Sequence, residues 1–287
     1  MAILLAFFGA VSYGAGDFCG SLAARRAPAI RVTLLSQLLG GLMLIGLVPL
    51  VGGSPNTRDL VVGALAGVVG AGAITAFYQA MAAGAMSVVA PISALTAAAL
   101  PVFVGLLGGE RPSVLSLVGV AIAMAAILLV SQHGPASADD TELDRPAPGA
   151  TRRSMVLTGI GSGVLFGLLF ITLDSVSDDA GLWPLVTDRL VAVPFLLIVA
   201  LVLRTDVRPE RGSLGLIVAC GVLDMGANTL LLLAFSEGLL VLVAVIISLY
   251  PASTLVLARV VLHERVSAVQ RVGLIIAGLA VVLIAVS

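Results

Sequence analysis

Lysine is absent from this 287-residue chain, charged side chains make up 11% of it, aromatics 5%, and there are two cysteines and two histidines. A soluble globular domain carries about 25% charged residues, so a water-soluble enzyme is excluded. Fifteen arginines face sixteen acids for a formal net charge of −1, which leaves no basic groove and no expected nucleic-acid partner. Cys19 and Cys220 both lie inside apolar runs. They read as small buried hydrophobes and not as a disulfide framework. His133 and His263 are far apart in polar connections, a spacing that offers no zinc site. No histidine accompanies Ser93 or Ser248 inside the apolar runs, so a nucleophile with its base is missing. Gly161-Ser162-Gly163 lacks the preceding strand and following acid of a dinucleotide fingerprint. Neither a catalytic residue, a cofactor nor a metal is expected.

Apolar residues are plentiful at 60%, glycines number 32, and the mean hydropathy is +1.17. A helix crossing the hydrocarbon core needs about 20 apolar residues. Runs broken by charge, proline or polar clusters predict spans at 3–23, 32–51, 60–83, 86–108, 114–131, 154–175, 182–203, 213–236, 239–262 and 268–286. The first run has no basic leader and no cleavage site, so it is read as a span. Between the fifth and sixth spans lies the one long polar stretch, 132–153, with Pro135, Asp139, Asp140, Glu142, Asp144, Pro146 and Pro148. Such a composition buries no core, so residues 1–131 and 154–287 are expected as two five-helix repeats joined by a flexible linker. The expected fold is therefore an all-α integral membrane protein. Small residues should mediate its packing, because lipid gives large apolar side chains no preference for one another; Gly63 with Gly67, and Gly159, Gly163 and Gly167, recur at four-residue spacing.

The two halves are related. A constant separation of 154 residues pairs Ala80 with Ala234, Gly84 with Gly238, Val89 with Val243, Glu110 with Glu264, Arg111 with Arg265, Ser113 with Ser267 and Gly119 with Gly273. Tyr13-Gly14 and Phe166-Gly167 match more loosely. Five spans per repeat, an odd number, make the second half enter from the opposite side. This is the inverted-repeat arrangement of alternating-access carriers, whose substrate sits near the midplane.

Gly109-Glu110-Arg111-Pro112-Ser113 and His263-Glu264-Arg265-Val266-Ser267, each followed by a glycine-bearing last helix, resemble the EamA-like transporters of the drug/metabolite transporter superfamily. The resemblance implies a ten-helix membrane carrier, in many members an exporter of amino acids, other metabolites or drugs, in the bacterial plasma membrane. One departure stands out. Many such sequences carry a proline thirteen residues before the motif glutamate, which fits Pro251 before Glu264, whereas Ala97 occupies that place in the first half beside Pro91 and Pro101. Pro91 and Pro251 are taken as hinges, because a proline inside a span frees a carbonyl and permits bending.

Intramembrane polar residues point to a site. Asp224 falls at the centre of the eighth span, where an aspartate costs roughly 2.5–3.5 kcal/mol. Asn228 is one turn on and shares its face, so the two are expected to ligate a polar solute, hold a proton, or bond helices together. Asp17 sits within Gly16-Asp17-Phe18-Cys19-Gly20, where small residues let a neighbouring helix approach. Arg189 lies about two turns inside the seventh span with Gln37 as its approximate counterpart; it needs an acid, water or an anionic solute. Asp17 and Asp224 match its depth, whereas Asp188, as its chain neighbour, projects from a different face. Thr75, Tyr78 and Gln79 occupy the first-half counterpart of the eighth span. Tyr78 reads either as cavity lining or as a member of the interfacial belt. Glu110, Arg111, Glu264 and Arg265, at span ends, read as capping and orienting groups.

The expected function is secondary transport of a small organic solute, with protons as candidate coupling ion through Asp224 or Asp17, since intramembrane acids serve in proton relays. The expected partners are that solute and the bilayer, with the protein a monomer or homodimer. A non-transporting scaffold or sensor, and an intramembrane enzyme, are the alternatives. On orientation two arguments diverge. The loops after spans one, five, seven and nine hold most of the arginines, and the other side chiefly Arg58 and Arg111; the positive-inside rule then puts both termini outside, while the family resemblance implies both inside.

Overall fold

The computed structural model describes residues 1–24, 26–82, 86–132, 151–208, 212–263 and 266–287. Most of the expected linker lies outside them. Among these residues eleven α-helices follow in order: α1 (Ala2–Ala24), α2 (Ala29–Val51), α3 (Thr57–Ala82), α4 (Met86–Leu107), α5 (Val114–Val130), α6 (Arg152–Asp174), α7 (Trp183–Val202), α8 (Leu214–Phe235), α9 (Leu240–Ile247), α10 (Tyr250–Val261) and α11 (Ala268–Ala285). With α9 and α10 taken as one span, their bounds lie within three residues of the expected spans. Among the described residues there is no strand. Eight stretches, with α9 and α10 taken together, are long and apolar enough to cross a membrane, and α5 and the Pro91–Leu107 part of α4 are shorter apolar helices. Ile45, Phe103, Leu190, Ile198 and Ile275 stand at least 60% exposed on the outside, which a water-facing surface would not tolerate in such numbers. The protein is an integral membrane protein.

The ninth span is broken, a difference from the single helix expected. Ser248 and Leu249 form a turn in which Leu249 N donates to Ile246 O at 3.1 Å, and Pro251 becomes the second residue of α10. The proline ring excludes the carbonyl one turn behind it and is tolerated only in a helix's first turn, so the chain restarts instead of continuing. The expected bending point thus falls at 248–249, just ahead of Pro251. In α4 the helix runs on through both Pro91 and Pro101.

Which helices touch follows a rule. α1 packs on α8 as α3 packs on α6; α4 packs on α6 as α1 packs on α9 and α10; α2 packs on α8 as α3 packs on α7; α5 packs on α11 and α2 on α7. Replacing each span by the one five further on maps this set onto itself. Glycines set the closest of these contacts. A Cβ on Gly67 would overlap the Asp188 carbonyl of α7, and a Cβ on Gly221, 154 residues later, would come within 2.6 Å of the Ser36 carbonyl of α2. Gly14 likewise abuts Tyr250 and Ser253 of α10, while Gly167 abuts Ala97 and Leu100 of α4. The four-residue glycine spacings therefore serve helix packing, as the sequence suggested.

Successive spans reverse direction, so the connections 52–56, 108–113, 175–182 and 236–239 share a face with both termini. On that face the buried Asp59 carboxylate accepts from Asn56 N, Ser177 N and Ser177 Oγ, at 3.0, 3.0 and 2.6 Å. Ser54 N donates to Asp179 O at 2.7 Å. Glu110, from the α4–α5 connection, accepts from Leu240 N at 2.8 Å and Val241 N at 2.9 Å. It caps α9, the capping role expected of it, but does so across the halves; Glu264 and Arg265 lie outside the described residues. On the opposite face Arg31 Nε donates to Asp206 O at 2.6 Å and Arg26 Nη1 to Gly212 O at 3.2 Å.

Candidate functional site

A cavity of about 640 Å³, open mouth included, lies between the halves. It is lined from spans one to four and six to nine, and the α5–α11 pair stays outside. Ile74 and Ala97 from one half, and Phe166, Leu169 and Phe170 from the other, supply apolar walls. The polar lining is concentrated: Tyr13 and Asp17 of α1, Gln37 of α2, Asp188 and Arg189 of α7, Asp224 and Asn228 of α8, and Tyr250 at the start of α10. Asp224 is at the midpoint of α8 and Tyr13 at that of α1.

Arg189 is the hub of this group. Its Nη2 donates to Asp224 Oδ2 at 2.8 Å, a charge-assisted hydrogen bond between α7 and α8. Asp188 also reaches it, with Oδ1 at 3.3 Å from Nη1 but no hydrogen bond. The expectation that chain neighbours point apart therefore holds for hydrogen bonding and fails for proximity, because the long guanidinium folds back toward its own helix. One turn along α8, Asn228 Nδ2 donates to the Asp224 carbonyl and Asn228 Oδ1 accepts from Tyr13 Oη, both at 2.8 Å. A chain of contacts thus runs from α7 through α8 to α1. Gly16 lets α1 come against Cys220, Leu223 and Asp224 of α8, which brings Asp17 to the same cavity. Gln37 Oε1, Asp188 Oδ1 and Arg189 Nε are buried without a hydrogen-bond partner.

Five residues singled out in the sequence meet here: Asp17, Gln37, Arg189, Asp224 and Asn228. Thr75 and Gln79 of α3 do not join them. Thr75 is half-buried with its Oγ1 unpartnered, off the cavity wall, and Gln79 is exposed; the Tyr78 side chain lies outside the described residues. The cavity face of α3 is instead Gly70, Ala71 and Ile74, whose small apolar side chains give no polar signal. Sequence reasoning also missed Tyr13 and Tyr250. Tyr13 was visible as the partner of Phe166 in the loose repeat match, and both line the cavity. Among the described residues no group of three metal-ligating side chains is placed to hold an ion.

The fold is shared by solved proteins. A crystal structure described only as that of a protein superposes with a TM-score of 0.74 at 16% identity, covering 99% of this chain and 98% of its own. No curated protein matches the sequence. The profile of the EamA-like transporter family matches residues 1–132 and 153–286. With nearly its whole length so matched, this chain belongs to the EamA-like transporter family.

Proposed function

We propose that the protein is a secondary carrier exporting a small organic solute across the bacterial plasma membrane by alternating access, and that protons drive it. The observation that carries this reading is the cavity beside the midpoints of α1 and α8, walled by four spans of each half. The mapping of the helix contacts onto themselves five spans on supports two inverted repeats, 1–131 and 154–287, joined by the linker 132–153. In inverted-repeat carriers the halves rock about a central site. The Asp224–Arg189 pair, with Asp17 and Asp188 beside it and the hydroxyls of Tyr13 and Tyr250 nearby, is the set of titratable groups a proton would visit. Substrate contacts are assigned to Asp17, Gln37, Arg189, Asp224 and Asn228, and bending to the 248–249 break and Pro91. Thr75, Tyr78 and Gln79, toward the C-terminal end of α3, are proposed as further contacts along the solute's path. The carrier works in the bilayer as a monomer or homodimer, with no enzymatic step.

Four variants test it: Asp224→Asn, Asn228→Ala, Arg189→Gln and Gln37→Ala. Folded yield and solute export, read by metabolite profiling of a deletion strain carrying each variant, should separate: Gln37→Ala, whose Oε1 bonds nothing, is expected to fold normally and lose export. Normal export in all four would refute the site. Asp224→Asn is further expected to abolish the ΔpH dependence of transport in proteoliposomes. Retention of full transport by Asp224→Leu together with Arg189→Leu would favour a scaffold.

A further inference from the structure

Three buried polar atoms of the cavity wall have nothing to bond. Gln37 Oε1 and Asp188 Oδ1 are acceptors and Arg189 Nε is a donor; none has a hydrogen-bond partner, and the three residues are only 6%, 5% and 7% exposed. Buried polar groups of folded proteins are almost always paired, and all three residues line the cavity between the halves. They are also neighbours. One turn beyond Gln37, α2 meets α7 so closely that a Cβ on Gly41 would come to 3.4 Å from Arg189 Cβ. Beside Gln37 a narrower niche of about 270 Å³, open mouth included, has Thr33 and Ser36 in its wall. Both hydroxyl protons are spent within α2, on Ala29 O at 3.0 Å and Thr33 O at 2.9 Å, so these oxygens have only lone pairs left to offer. The unmet set is therefore mixed, with acceptors on α2 and Asp188 and one donor on Arg189. A carboxylate would satisfy the donor alone, an ammonium the acceptors alone, and a hydroxyl brings one proton for two acceptors. Each leaves a buried group unpaired, which is costly.

Resting on the carrier reading above, we propose that the transported solute presents an uncharged primary carboxamide, or a ring bearing the same N–H2 beside a C=O. An amide nitrogen has two protons to give and its carbonyl oxygen only lone pairs, one match for each of the three orphaned atoms. The N–H2 donates to Gln37 Oε1 and Asp188 Oδ1, and Arg189 Nε donates to the carbonyl. Arg189 keeps its bond to Asp224 throughout, because that bond uses Nη2. The remainder of the solute lies against Ile74, Phe166 and Phe170, which wall the same cavity. A site that bonds a solute's N–H discriminates against analogues lacking it, since its own groups are then left unpaired.

The purified protein in nanodiscs of phosphatidylethanolamine and phosphatidylglycerol tests this by calorimetric titration, with empty nanodiscs as the blank for partition into lipid. Four probes share one shape: benzamide, N,N-dimethylbenzamide, acetophenone, in which a methyl replaces the N–H2, and benzylammonium. Benzamide is expected to bind at least about tenfold more tightly than each of the others, a 1.4 kcal/mol difference. Gln37→Leu, which keeps the bulk and removes the acceptor, should bring benzamide down to the affinity of acetophenone. Ser36→Ala, which removes a hydroxyl oxygen from the niche, should narrow the same gap and serves if Gln37→Leu does not fold. Equal binding of benzamide and acetophenone, tighter binding of benzylammonium, an undiminished preference in the folded variants, or no benzamide binding up to about 10 mM overturns the proposal. Metabolite profiling keeps the two readings apart. Exported solutes that lack an N–H2 beside a carbonyl refute the carboxamide and leave the carrier, whereas benzamide bound by a protein that exports nothing refutes the carrier and leaves the site.

Discussion

Replacing Glu110 should loosen α9 from a distance. Its two carboxylate oxygens take the N–H groups of Leu240 and Val241 at 2.8 and 2.9 Å, at the start of a helix of only eight residues. That helix has no other side-chain cap at its N-cap residue, Leu239, and the 248–249 break follows it. Charge-assisted bonds contribute about 1.5–3 kcal/mol each; Glu110 is half-exposed, so the lower figure applies. A negative charge at a helix N-terminus adds about 0.3–1 kcal/mol. Glu110→Ala is therefore expected to destabilise the protein by about 3–4 kcal/mol, and Glu110→Gln, which keeps one acceptor, by about 2 kcal/mol. For a chain of this size that corresponds to a fall in melting temperature of roughly 5–15 °C. The buried thiol of Cys220 supplies the assay: in a Cys19→Ser background, a maleimide dye reports its exposure as the protein melts in detergent. Gly105 offers an independent route, since a Cβ there would come to 2.8 Å from both Glu110 Oε2 and Val241 Cγ2. Gly105→Ala should mimic Glu110→Gln and add little to Glu110→Ala, the non-additivity expected of one shared interaction. A Glu110→Ala melt within about 1 °C of the parent would refute the capping argument.

Other consequences are as direct. Gly67→Ala and Gly221→Ala should each lower folded yield, with overpacking of about 1–3 kcal/mol, whereas Gly226→Ala and Gly278→Ala, which face open space, should not; fluorescence-detected size exclusion distinguishes them. Tyr13→Phe deprives Asn228 Oδ1 of its donor and should destabilise by about 1–3 kcal/mol in the same thiol assay. Asp59→Ala removes the bonds to Asn56 and Ser177 and should make the 175–182 connection cleavable by protease at concentrations that spare the parent. The arginine count predicts that a C-terminal phosphatase fusion is active and a fluorescent fusion dark; a bright fluorescent fusion would establish the opposite orientation.

Span boundaries were legible because a bilayer writes them as uninterrupted apolar length, and α1 to α8 and α11 fall within three residues of their expected positions. The break at 248–249 was not, because Pro251 marks a disturbance without saying whether the helix runs on, as α4 does through Pro91, or stops. Charges in apolar runs announced themselves by their cost, hence Asp17, Arg189 and Asp224. Tyr13 and Tyr250 did not, since a tyrosine in a span is equally at home at the interface. Thr75 and Gln79 gave no such signal of their place: they do not line the cavity, whose α3 wall is Gly70, Ala71 and Ile74. Sequence spacing identifies a counterpart helix; only the rotation of that helix decides which side chain meets the cavity.

The matched seams at Gly67 and Gly221 have a further meaning. At one, α3 leans on the residue pair Asp188-Arg189; at the other, α8 leans on Ser36-Gln37. The helix contacts recur, but the chemistry seated on them does not. Were the two pairs alike, a rocking carrier built on this frame would have inward-open and outward-open forms of equal energy, differing only by a half-turn of the molecule. On the proposed carrier reading, an ion pair on one seam and neutral amide and hydroxyl on the other would lift that degeneracy, and the resting carrier would prefer one side of the membrane before any gradient acts on it.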